Sequence, residues 1–89
     1  MIENKIEIIN RLGLHARAAA KLVHLAGTFD SDVHLIRDGE DVDAKSILGI
    51  MMLAAAQGSW VTIRCDGDDE KEALEALEGL FADRFGEGA

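Results

Sequence analysis

The sequence predicts an α+β domain of order βαββαβα, an open-faced two-layer sandwich in which a four-stranded antiparallel sheet is covered on one face by three helices. Three observations lead there. Short segments of alternating apolar and polar residues, two of them joined by an Asp-Gly pair, point to antiparallel strands and tight turns. Three segments with helical apolar spacing are enough to cover one face of such a sheet. The chain has 89 residues, which suits one modest core and a single domain over residues 1–89.

The elements follow in order. "IENKIEIIN" reads as a strand because Ile6 and Ile8 alternate with Lys5 and Glu7, and the turn-like "NRLG" follows. The next segment places Ala19, Leu22, Val23 and Ala26 on one helical face, with Gly27 as its stop. "DVHLIR" alternates again, and Asp38-Gly39 turns it into a short strand around Val42. "SILGIMMLAAAQG" reads as a second helix, capped by Ser46 and ended by Gly58. "SWVTIRC" sets Val61, Ile63 and Cys65 on one face of a fourth strand and Trp60, Thr62 and Arg64 on the other. In "DDEKEALEALEGLFADRF" Leu74, Leu77 and Phe81 form a stripe, and Asp68, Asp69 and Glu70 complement the positive end of the helix dipole. The closing "GEGA" is expected to fray.

Composition narrows the function. Aromatic residues are only 4% of the chain, too few for a stacking platform on nucleic acid. The net charge is -8, and residues 66 to 89 hold nine acids against two bases. DNA and anionic membranes would be repelled by such a surface. Within residues 1 to 27 the balance reverses, with Lys5, Arg11, Arg17 and Lys21 against Glu3 and Glu7, so an anion or acidic partner fits that end. A single cysteine, Cys65, allows no internal disulfide, and "MIENKIEIINR" lacks the apolar stretch of a signal peptide, so a cytoplasmic location is expected.

The residues that carry chemistry lie in "GLHARAAAKLV". His15 falls at the expected N-cap of the first helix, where the unpaired N–H groups from Ala16 onward would stabilise an anion. Imidazole titrates near neutrality and offers an unprotonated nitrogen as nucleophile, which suits a phosphoryl acceptor. Arg17 would set a guanidinium against the arriving charge, and Ala16, Ala18, Ala19 and Ala20 would leave the approach open. A histidine at a helix end is more often a polar cap or a solvated residue, and composition alone favours that plainer role. His15, His24 and His34 stand nine and ten residues apart on different elements, with no ligand-type spacing, so no metal site is expected. His34 reads as a strand residue without a role, and His24 as a solvent-facing neighbour of the same helical face.

Taken together, "GLHARAAAKLV", "KSILGIMMLAA", the chain length and the element order resemble the HPr family, the histidine-containing phosphocarriers of the phosphoenolpyruvate-dependent sugar phosphotransferase system. The resemblance covers the whole chain. It implies that His15 accepts a phosphoryl group on Nδ1 from phosphorylated enzyme I and passes it to a histidine of an enzyme IIA domain. Arg17 would steady the phosphate, the backbone at Ala16 and Arg17 would donate N–H groups, and no cofactor is implied. Ala18 departs from the proline usual in the family at that position; alanine is an excellent helix former, so the site geometry is expected to survive. Alanine runs also suit the nitrogen-related branch, whose members act mainly by phosphorylation-dependent binding.

Ser46 reads first as an ordinary N-cap. The matching serine of the family is phosphorylated by a dedicated kinase, HPr kinase/phosphorylase, in many bacteria, which makes Ser46 a regulatory candidate as well. Ile50 and Leu53 are expected in the core, whereas Ile47, Leu48, Met51 and Met52 exceed what so short a helix can bury and suggest a partner surface. By resemblance, Leu12, Ala16, Ala20, Lys21, His24 and Gly27 complete its rim. A carrier that shows one face to successive partners is most simply a monomer. Two other readings compete: a binding module switched at His15 or Ser46, and a small hydrolase, for which the motif offers no base beside His15 to activate water.

Overall fold

The structure is a computed structural model and describes residues 1–88. Four strands form one sheet in the order β1-β4-β2-β3, with every neighbouring pair antiparallel: β1 (Ile2–Glu7), β2 (Asp32–Arg37), β3 (Glu40–Asp43) and β4 (Trp60–Asp66). Register separates the two faces. Ile2, Asn4 and Ile6 lie opposite Cys65, Ile63 and Val61, and Val33 and Leu35 meet Cys65 and Ile63 from the other side. That face carries the core, while Glu3, Arg64, His34 and Asp41 occupy the other, where Arg64 pairs with Glu3 at 3.1 Å and with Asp41 at 3.7 Å. The βαββαβα order and the three covering helices are as the alternation and turn chemistry predict.

Helix α1 (Ala16–Ala26) lies between α2 (Ile47–Met52) and α3 (Glu70–Ala82), and α3 packs over β1 and β4. The buried side of α1 is Ala18, Ala19, Leu22 and Ala26, so Ala18 and Ala19 pack in the core and do not line an approach to His15. Ile50, Leu53, Leu77, Phe81, Val61 and Ile63 are buried with them. Each fully buried side chain of that size stabilises the fold by about 1.5–3 kcal/mol relative to an exposed one. The Asp38-Gly39 pair has φ of +50° and +84° and joins the paired residues Arg37 and Glu40, the backbone of a tight hairpin turn.

Two helices stop earlier than their sequence patterns suggest. The second ends at Met52, not near Gly58, because Ala54 enters the left-handed region at φ +50° and turns the chain towards β4. The third ends at Ala82, not at Phe85. Arg84 and Phe85 take φ of +53° and +54° within a short 3-10 turn, Arg84–Gly86. This turn buries Phe85 edge-on against Phe81, with ring centroids 4.9 Å apart. The expected fraying therefore fails for Gly86 and Glu87, which fold back onto the domain; Ala89 lies outside the described residues. At the other end of α3, Asp69 makes no side-chain cap. Its carboxylate accepts instead from the backbone N–H groups of Asp30 and Ser31 at 2.8 and 2.9 Å and from the Ser31 hydroxyl, tying α3 to the start of β2.

The loop before α1 is shaped by Gly13, whose φ is +66°. A Cβ there would stand 2.5 Å from the carbonyl oxygen of Ala55 and 2.9 Å from Cα of Ala56. That close approach lets Leu14 N–H donate to the same Ala55 carbonyl at 2.9 Å, so the residue before His15 is pinned to the segment leaving α2.

Gly13→Ala is expected to lower stability by more than the roughly 1–2 kcal/mol of left-handed strain alone, because backbone must also move. Gly39→Ala meets nothing within 4 Å and incurs only the strain; urea unfolding of the two variants should rank them in that order. The Ser31 hydroxyl and the Asp30 and Ser31 amides hold the Asp69 carboxyl below its ordinary value. Its contribution is thus full above the ordinary carboxylate range and is lost as pH falls through the lowered native value. In urea midpoints measured from pH 7 down to pH 2, Asp69→Asn should be less stable than wild type near neutrality, with the gap closing at the acid end; parallel profiles would contradict this.

Candidate functional site

His15 is the N-cap of α1, with extended backbone at φ -76° and ψ 177°, and its side chain makes no capping hydrogen bond. The N–H groups of the first turn are consequently not consumed by the cap and remain directed at the space before the helix. No acidic residue occupies that turn to offset the positive end of the dipole. Ala16 and Arg17 follow at the exposed start of α1, and Arg17, Arg11 and Lys21 line one cleft together with His15, Gly86 and Glu87. Three cations thus surround one imidazole and one carboxylate.

That carboxylate is the feature missed by sequence reasoning. Glu87 Oε2 pairs with His15 Nε2, and its Oε1 accepts from Asn10 Nδ2 at 3.1 Å. Asn10 is buried and also donates through Nδ2 to the Gly13 carbonyl at 2.8 Å, so one amide joins the loop before α1 to the end of the chain. Lys21 Nζ reaches the Phe85 carbonyl and holds the same terminal segment from α1. The hydrogen bond with His15 is the main reason the Glu87 carboxyl lies below its ordinary value; the bond from Asn10 and the positive fields of His15 and Lys21 add to it, against the opposing effect of desolvation. Glu87 is 72 positions from His15, so no local pattern links them. The available signal was chemical: one acid flanked by two glycines after an apolar run.

Among the described residues the His15 ring meets a side-chain partner through Nε2 and none at Nδ1. An acceptor of this kind, set before a helix N-terminus and among cations, suits a dianionic phosphoryl group.

The other expected residues fall in two places. Ser46 caps α2, its hydroxyl accepting from Gly49 N–H at 3.1 Å. Ile47, Leu48, Met51 and Met52 expose 42, 76, 42 and 73% of their surface, and Leu12 66%, while Ile50 and Leu53 are buried, as the excess of apolar residues in α2 implies. Ala20, Lys21, His24 and Gly27 are exposed along α1 and at its end. His24 lies outside the His15 cleft. His34 sits on the open face of the sheet and pairs through Nδ1 with Asp41 at 2.6 Å. Among the described residues, no group of three or more His, Cys, Asp or Glu side chains could hold a metal ion, and no helix is long and apolar enough to cross a membrane.

Known proteins resemble the chain in both sequence and fold. Residues 2–83 match the family described as the PTS HPr component phosphorylation site. The phosphocarrier protein HPr of Cupriavidus necator is 60% identical over 88 residues, covering 99% of both chains. A crystal structure of HPr from Thermoanaerobacter tengcongensis, carrying the label C-His, superposes with a TM-score of 0.95 at 48% identity over 98% of each chain. A crystal structure of an HPr dimer from the same organism gives a TM-score of 0.79 at 48% identity, covering 98% of this chain and all of that one. With a family match that spans nearly the whole domain, and with fold and sequence in agreement, the chain belongs to the HPr family of phosphocarrier proteins.

Proposed function

We propose that this chain is a cytoplasmic carrier that takes a phosphoryl group from phosphorylated enzyme I onto Nδ1 of His15 and hands it to a histidine of an enzyme IIA domain. The observation that carries the reading is the His15 ring at the head of α1, engaged through Nε2 and open at Nδ1. The lone pair on Nδ1 attacks phosphorus as the donor's P–N bond breaks and its electron pair returns to the donor nitrogen. Transfer between two imidazoles needs little driving force, so positioning and charge neutralisation supply most of what the protein must do. Arg17 faces the phosphoryl oxygens, and the backbone N–H groups of Ala16 and Arg17 add the positive end of the helix. The chain is an intermediate in a relay rather than an enzyme acting alone.

The exposed Ile47, Leu48, Met51 and Met52, together with Leu12, form the apolar part of the docking surface on this reading, with Ala16, Ala20, Lys21, His24 and Gly27 beside it. Methionine suits a surface that must accept more than one partner. The acidic outer face of α3 stays in solvent and keeps a small domain soluble. The carrier works as a monomer, since each partner needs the same face free; the existence of a related dimer makes sedimentation at working concentration the measure of that point.

Ser46 supplies control. A phosphate placed there by a dedicated kinase, HPr kinase/phosphorylase, would keep the favourable position at the start of α2 while adding negative charge to the docking surface. The fold need not change for enzyme I to bind less well.

Incubation with enzyme I, phosphoenolpyruvate and magnesium should add one acid-labile phosphate by intact-mass spectrometry, absent in His15→Ala; an unmodified wild type would overturn the carrier reading. Arg17→Ala should slow phosphorylation by about two to three orders of magnitude, the scale of losing one preorganised charge-stabilising group. In the same assay Ser46→Asp should be phosphorylated more slowly than wild type, whereas Ser46→Ala should retain the wild-type rate and lose about 1 kcal/mol of stability with its cap. Equal rates for Ser46→Asp and wild type would contradict the control by charge.

A further inference from the structure

We infer that Glu87 is a positioning residue for His15: the terminal turn of the chain is a built strap that holds the imidazole through Nε2–H and thereby presents Nδ1 to the incoming phosphoryl group. The inference rests on the carrier reading and names a residue outside the histidine motif as part of its machinery.

The strap is held at several independent points. Arg84 and Phe85 both have positive φ without being glycine, a conformation that L-residues adopt only when something compensates it. Here the compensation is the burial of Phe85 against Phe81, 1% exposed in each case. Gly86 follows at φ +75°, where a Cβ would stand 3.3 Å from Lys21 Nζ, the same ammonium that takes the Phe85 carbonyl. Glu87 then reaches two buried or half-buried groups at once, Asn10 Nδ2 and His15 Nε2. Its side chain keeps only 13% exposure and that of His15 26%, so the carboxylate is taken out of water to meet the ring.

The chemistry gives that contact a use. A carboxylate accepts only, so the pair requires the proton on Nε2, and the lone pair of the neutral ring is then on Nδ1. When the N–P bond forms, Nε2 keeps its proton and the ring gains one positive charge, which the Glu87 carboxylate faces directly. Arg11, Arg17 and Lys21, the cations of the same cleft, are left to neutralise the phosphoryl oxygens. A third group that orients the imidazole through its other nitrogen is a general device in nucleophilic catalysis, and for metal-bound histidines loss of such a partner lowers affinity or activity by about 10–100-fold.

The test compares wild type, Glu87→Ala and Glu87→Gln, all with the full chain. The first readout is ¹⁵N and ¹H NMR of the unphosphorylated His15 ring: a slowly exchanging Nε2–H resonance is expected in wild type, lost in Glu87→Ala and recovered in Glu87→Gln, whose amide oxygen still accepts. The second is the initial rate of phosphorylation by enzyme I, expected to fall tenfold or more in Glu87→Ala and to be largely restored in Glu87→Gln, at unchanged far-UV circular dichroism. An Nε2–H resonance unchanged in Glu87→Ala, or a lost resonance with an unchanged rate, overturns the proposal. Wild type that shows the resonance but takes no phosphate sinks the carrier reading instead, and leaves the Glu87 contact to the ring standing.

Discussion

Gly13 is the constraint from which the site follows. Its left-handed backbone permits the contact with Ala55 and Ala56 and the Leu14 hydrogen bond, and these set where the next residue can be. His15 thereby stands at the head of α1 with its side chain free of the capping role that a serine or aspartate would fill there. A helix N-terminus left uncapped by its own residue keeps its N–H groups for something else. The buried stripe of α1 is Ala18, Ala19, Leu22 and Ala26, and Ala16 and Arg17 of its first turn stay at the surface.

Charge is distributed to match. The chain is strongly acidic towards its C-terminus, yet the last of those acids does not stay with the solvated face of α3. The chain reverses after Ala82 through two left-handed residues and delivers Glu87 into the basic end of the molecule, beside Arg11, Arg17 and Lys21. One carboxylate among three cations leaves the cleft net positive, a field that favours an anion. Asn10, buried and donating to both Gly13 and Glu87, links the turn that places His15 to the strap that touches it.

The parts of this arrangement legible in the sequence are those encoded by short-range pattern. The alternation of Val61, Ile63 and Cys65, the Asp38-Gly39 turn and the Leu77–Phe81 spacing are local, and each element they imply is present. Ser46 as a cap and the exposed apolar residues of α2 were readable for the same reason. The early stops at Met52 and Ala82 were not, since Ala54, Arg84 and Phe85 are residues without an intrinsic taste for positive φ; the burial of Phe85 accounts for the second stop, while Ala54 and Arg84 are themselves exposed. Glu87 was hidden twice over: it lies in a segment whose glycines suggest fraying, and its partner is at the far end of the chain. The motifs that carried the family resemblance pointed to His15 and Arg17 and assigned no role to this strap.

Phosphorus and nitrogen NMR of the protein phosphorylated by enzyme I and phosphoenolpyruvate is the most direct test of the account. A phosphorus coupled to Nδ1 of His15, with the proton retained on Nε2, is the predicted result. Phosphate on Nε2, or on any residue other than His15, would contradict it.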